Sequence, residues 1–278
     1  MTDAAADDNP DDKKMPLMEH LVELRRRLIW SLIAFVICFV GCFFVSQQIF
    51  DFLTRPLAAV WAGQEGQHHL IFTALQEKFF ADVKLAMFGG LVIAFPVIAA
   101  QVWGFVAPGL YKNEKTAFLP FLIATPIMFV MGASFVYFIF IPNAFRFFTS
   151  FEEVAHDGAL AITAEPRVSE YLDLIIQLIL GFGVVFELPV LLTLMVSAEL
   201  LETKTLAKQR RYAILAGFII SAILTPPDAL SMMMMAIPLV GLYEISIVIG
   251  RIIEGRRRRR RAAEEAAEKA TREKSLVP

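Results

Sequence analysis

The run LIWSLIAFVICFVGCFFV, Leu28 to Val45, holds eighteen residues without a charge and without alternation between polar and apolar side chains. A transmembrane β-strand would alternate, because successive side chains face lipid and lumen in turn. An unbroken apolar run of this length suits an α-helix, which rises about 1.5 Å per residue and must cross a hydrocarbon core roughly 30 Å thick. The stretch is therefore read as a membrane-spanning helix, and the fold class depends on how often it recurs.

Counting the first span as about 28 to 50, comparable runs follow at about 85 to 106, 117 to 142, 171 to 197, 212 to 224 and 229 to 250, six in all. Of the 278 residues, 57% are hydrophobic, more than one water-soluble core can hide, so lipid must solvate most of the surface. The expected architecture is an all-α membrane protein, a bundle of six transmembrane helices. Its fifth helix is short. Between Arg211 and Thr225 lie 13 residues, which reach about 20 Å and leave the hairpin tip Thr225 to Asp228 room to sit within the outer leaflet, with local thinning of the bilayer. Pro96, Pro120, Pro126 and Pro189 fall inside spans, each removing a backbone donor that neighbouring helices must offset.

Orientation follows the placement of Lys and Arg, not the net charge of −2. The N-terminal tail, the second and fourth loops and the C-terminal tail hold 21 of the 26 basic residues. Both termini are therefore expected in the cytoplasm. Residues 1–14 read as an acidic, disordered tail, 15–252 as the six-helix domain with an N-terminal amphipathic helix, and 253–278 as an arginine-rich cytoplasmic tail. In MPLMEHLVELRRRL, Leu17, Leu21, Leu24 and Leu28 are spaced four, three and four apart, which gives the helix an apolar stripe with Glu23 on its polar side. The apolar run after Arg27 lacks an A-x-A site and reads as a retained anchor.

Catalysis finds no foothold: the chain has no G-x-S-x-G, no Walker A loop and no H-E-x-x-H. No enzyme, metal or cofactor is expected. Cys38 and Cys42, one turn apart, read as small packing residues, and His68 and His69 as a solvated pair. Six arginines, Arg256 to Arg261, read as an anchor against anionic lipid; without stacking aromatics, nucleic acid is not expected as a partner.

Three carboxylates remain. Glu187, in GFGVVFELPV, lies twelve residues from Glu199 and hence near mid-membrane. An ionisable group there either marks a pathway or watery cavity or bonds, protonated, to a neighbouring helix. Gln177, nearly three turns earlier, could extend the same polar stripe. Glu23 and Glu114 are placed at the cytoplasmic surface. From spacing alone, Glu23 can pair with Arg27 at i+4, and Glu114 can sit solvated between Lys112 and Lys115.

Four motifs settle the matter differently. HLVELRRRL at His20 to Leu28, QVWGFVAPGLYKNEK at Gln101 to Lys115, FGVVFELPV at Phe182 to Val190 and LTPPD at Leu224 to Asp228 resemble, in order and spacing, the TatC family of the twin-arginine translocase. The resemblance covers residues 15 to 252 and implies a six-helix, glove-shaped bundle with both termini cytoplasmic, in the bacterial inner membrane. It implies binding of twin-arginine signal peptides of folded precursors, with Glu23 and Glu114 reading the arginine pair and Arg25 ordering the helix against the loop. Glu187 is implied to line the concave face. The hairpin residues Thr225, Pro226, Pro227 and Asp228 resemble the region where the family's single-span subunits, TatA and TatB, are expected to dock. The apolar run Met232 to Met235 stands where some relatives carry a polar residue. The resemblance implies the proton gradient as energy source, and an oligomeric complex is expected because six helices cannot enclose a folded cargo. Two other classes stay open on the residues themselves: a solute or proton transporter built on Glu187, and a structural scaffold.

Overall fold

A computed structural model of the chain describes residues 10–62, 69–110, 119–151 and 165–275. It is helical almost throughout. In chain order the elements are α1 (Pro10–Phe44), α2 (Ser46–Trp61), α3 (Glu77–Leu110), α4 (Leu119–Phe135), a π-helical turn (Val136–Phe140), α5 (Ile141–Thr149), α6 (Val168–Val185), α7 (Leu188–Ser197), α8 (Thr203–Lys208), α9 (Arg210–Leu224) and α10 (Ala229–Ser275). Five stretches among the described residues are long and apolar enough to cross a membrane: His20–Phe44, Glu77–Phe105, Leu119–Thr149, Val168–Ser197 and Ala229–Ala263. With 15 residues, α9 is the short fifth helix that the sequence calls for.

Two expectations need adjusting. The amphipathic segment and the first span form one continuous helix, α1, since Leu, Met, Glu and Arg are all good helix formers and no breaker separates them. The first span, expected to end at about residue 50, is followed directly by more helix, because α2 runs from Ser46 to Trp61 with Pro56 inside it.

The chain divides into two compact units, Met1–Asp51 with Lys78–Leu122, and Phe52–Glu77 with Ile123–Pro278. In the first, α1 and α3 touch backbone to backbone. A Cβ at Gly90 would lie 2.8 Å from Phe39 N and Cα, and one at Gly89 would lie 3.0 Å from Cys42 Sγ. Cys42 is buried in that contact as a small apolar filler. One face of α1 carries Phe35, Phe39 and Phe43 in a ladder, with ring centroids 6.2 and 6.5 Å apart.

The second unit is built on aromatic packing. Phe135, Phe140, Phe182 and Phe186 form a cluster, with Phe135 and Phe182 stacked at 5.6 Å. Two glycines let α4 and α6 close on it: a Cβ on Gly132 would meet Phe182 O at 2.7 Å, and one on Gly183 would meet the Phe129 ring. Pro56 deprives Phe52 O of its i+4 donor, and the Tyr137 hydroxyl supplies one at 2.7 Å, its ring stacked on Phe52 at 4.4 Å. The Tyr171 hydroxyl likewise donates to Leu53 O at 2.7 Å. Pro142 explains the π turn before α5, since a proline ring clashes with the preceding turn and Asn143 Nδ2 takes up Ile139 O at 2.6 Å. Further along, α10 packs against α7, α8 and α9 around Val196, Leu206 and Ile247.

Candidate functional site

In the first unit the N-terminal part of α1 is tied to the C-terminal part of α3. His20 stacks on Phe105 with ring centroids 4.2 Å apart and planes 15° from parallel. Two turns further along, the Arg27 guanidinium lies against Gly104, where a Cβ would come within 3.0 Å of Cζ. Arg27 in turn donates to Glu23 Oε1 from Nε at 3.0 Å and from Nη2 at 2.6 Å. Both bonds go to one oxygen. Among the described residues the other oxygen, Oε2, faces only His20 Nδ1 at 3.9 Å. Glu23 is thus held in place on one edge, with the second edge of a part-exposed carboxylate open to a further donor.

Arg25 is exposed on the same helix. Glu114, expected to read the arginine pair together with Glu23, lies outside the described residues.

In the second unit Glu187 sits where α6 gives way to α7. Glu187 N bonds to Val184 O at 3.0 Å, a three-residue step, and Pro189 removes the donor that would have bonded Val185 O. The irregular backbone expected from FELPV is present. Both Glu187 oxygens are buried, and neither completes a hydrogen bond of ordinary geometry. Thr125 of α4, itself buried, is the polar neighbour facing the carboxyl.

Gln177 does not share a stripe with Glu187. Its Nε2 donates to Ile223 O at 3.3 Å and Leu224 O at 3.4 Å, taking up carbonyls that the C-terminus of α9 leaves without helical partners. The hairpin Thr225 to Asp228 completes this cap. Thr225 donates to Ser221 O from both N and Oγ1, at 2.9 and 2.8 Å. Asp228 caps α10, its Oδ1 accepting from Ser231 N at 2.7 Å, while its Oδ2 and Ser231 Oγ are buried without hydrogen-bond partners. Pro226 is half-buried and Pro227 exposed. Nearby, Met235 is fully buried and Met233 half-exposed.

Three acidic residues that spacing did not single out hold loops in place. Glu77 accepts from Thr73 N at 2.8 Å and from Ser169 N at 3.2 Å, tying the start of α6 to the segment before α3. Glu254 accepts from Thr203 N at 2.8 Å and Oγ1 at 2.6 Å, giving α8 the N-terminal acceptor its own Glu202 does not provide. Glu199, at φ 63°, pairs with Arg257 at 3.2 Å and Arg261 at 2.6 Å. All three bond across sequence gaps that no local periodicity reports. Among the described residues, no group of three or more His, Cys, Asp or Glu side chains is arranged to hold a metal ion.

Residues 19–238 match the family described as Sec-independent protein translocase protein (TatC). The Sec-independent protein translocase protein TatC of Magnetococcus marinus is 46% identical over 246 residues, which cover 88% of either chain. Its counterpart in Rickettsia prowazekii is 41% identical, over 88% of this chain and 96% of that one. A crystal structure of the twin arginine translocase receptor TatC aligns with a TM-score of 0.72 at 36% identity, over 84% of this chain and 99% of the other. Apolar helices, motif order, sequence identity and fold agree, and this chain belongs to the TatC family: it is a multi-pass membrane protein, a core subunit of the Sec-independent protein translocase, and a transport protein rather than an enzyme.

Proposed function

We propose that this subunit binds the consecutive arginines of twin-arginine signal peptides with Glu23 and Glu114, at the cytoplasmic face of the bacterial inner membrane. The observation that carries the reading is the fixed, half-occupied carboxylate of Glu23. Arg27 holds Oε1 with two bonds while Oε2 is left with His20 at 3.9 Å among the described residues. A guanidinium is planar, always charged and donates in parallel pairs, so it fits a carboxylate edge better than an ammonium does. Glu114 follows Phe105 by nine residues in the sequence, and Phe105 is the ring on which His20 stacks. Arg25, exposed on the same helix, orders the helix against that loop.

The same reading extends to partners. TatA and TatB helices dock at the hairpin Thr225, Pro226, Pro227 and Asp228 and along the face carrying Glu187, whose buried carboxyl lacks a complete hydrogen bond and offers a polar partner a site. Charge placement supports cytoplasmic termini, and the proton gradient supplies the energy. A photoreactive residue at position 113, beside an intact Glu114, tests the central step. Irradiation with a twin-arginine signal peptide should yield a crosslink that is lost on Glu23→Ala while membrane insertion is unchanged; no crosslink, or one that Glu23→Ala leaves intact, would overturn it.

A further inference from the structure

The arginine run Arg256 to Arg261 of α10 is not among the signal-binding residues proposed above, and its geometry sets two of its arginines apart. Arg257 and Arg261, four residues apart and so on one helix face, both reach Glu199, at 3.2 and 2.6 Å. Glu199 is turned toward them by a left-handed backbone, φ 63°, in the link after α7. The link is held from its other side by Glu254, whose two oxygens accept from Thr203 N and Oγ1. Arg256, Arg258 and Arg259 occupy the remaining faces and are exposed.

Depth identifies what these three meet. The apolar part of α10 ends at Gly250, just before Arg251. At about 1.5 Å per residue, Arg256 and Arg259 lie roughly 9 and 14 Å beyond it. A headgroup layer of about 5–8 Å flanks the hydrocarbon on either side. The exposed guanidiniums therefore start just outside the headgroup layer, and their long side chains can reach back to lipid phosphates and grip them with paired hydrogen bonds. The tail from Arg256 onward contains no aromatic residue on which a nucleic-acid base could stack.

We infer that Arg256, Arg258 and Arg259 form a binding surface for the headgroups of anionic phospholipids, and that Glu199 limits the size of that surface by withholding Arg257 and Arg261. The inference needs neither signal binding nor an assignment of which side of the membrane the tail occupies.

The test uses the full chain in nanodiscs of phosphatidylcholine and phosphatidylglycerol, with retained lipids counted by native mass spectrometry. Since one arginine near an anionic surface contributes on the order of fivefold in affinity, Arg256→Gln with Arg258→Gln and Arg259→Gln should lower the enrichment of phosphatidylglycerol roughly threefold or more. Glu199→Gln should raise it, by releasing two further guanidiniums. The corresponding lysine variant keeps the charge that orients the helix, and should insert normally with a smaller loss. Unchanged enrichment in the glutamine variant overturns the inference. So does an equal loss from Lys269→Gln, Arg272→Gln and Lys274→Gln, which would make any charge on the tail sufficient. Displacement of phosphatidylglycerol by added single-stranded RNA would point to a nucleic-acid surface and likewise overturn it.

Discussion

Gly104 of α3 is the seat of the Arg27 side chain: a Cβ there would lie 3.0 Å from Cζ and 3.3 Å from Nη2, closer than a methyl group and a guanidinium can approach. Arg27 is also what holds Glu23 on its Oε1 edge. The absence of a side chain on one helix thus leaves room for the guanidinium that holds a carboxylate on the other.

Gly104→Ala should therefore dislodge Arg27 and loosen Glu23 without disturbing the apolar span. We expect signal-peptide crosslinking from a probe at position 113 to fall severalfold while the amount of protein in the membrane stays constant. Equal crosslinking would separate Gly104 from the site.

A second consequence concerns α2, where Pro56 leaves Phe52 O to the Tyr137 hydroxyl. Tyr137→Phe keeps the ring stacked but removes that donor, and should cost about 0.5–1.5 kcal/mol, the net range for one hydrogen bond on an exposed carbonyl. Thermal unfolding in detergent checks it, with Tyr212→Phe, on an exposed surface, as the comparison expected to change little.

Glu187 makes the opposite prediction for stability. Its oxygens are buried without a completed hydrogen bond, so Glu187→Leu should stabilise the isolated subunit by about 1–3 kcal/mol. If the carboxyl serves a partner helix, the same change should weaken recovery of the assembled complex and reduce export. A variant that is less stable in isolation, or one that assembles and exports normally, would remove Glu187 from that role.

The contrast between these residues explains what the sequence makes legible. Spans are readable because lipid imposes one length and one composition on every helix that crosses it, and the break at Glu187 is readable because Pro189 removes a donor two residues away. Glu23 is readable as a partner for Arg27 from i+4 spacing alone, and that bond is present. The open Oε2 edge is not, since it depends on Gly104 and Phe105, about eighty residues away in the chain. Gln177 shows the limit from the other side. Its helical position suggested a stripe with Glu187, but the carbonyls at the end of α9, brought alongside by tertiary packing, claim it instead. Glu199 and Glu254 are not legible from sequence for the same reason. Their partners lie 62 and 51 residues away in the chain.

The most direct measurement is binding of a fluorescent signal peptide to the purified subunit in nanodiscs, comparing a twin-arginine peptide with one carrying two lysines. We expect the arginine peptide to bind at least about tenfold more tightly, since charge-assisted hydrogen bonds contribute about 1.5–3 kcal/mol each, and Glu23→Gln together with Glu114→Gln to abolish the difference. Equal affinity for the two peptides in the unaltered protein, or a preference that survives both substitutions, would contradict the assignment of these two carboxylates.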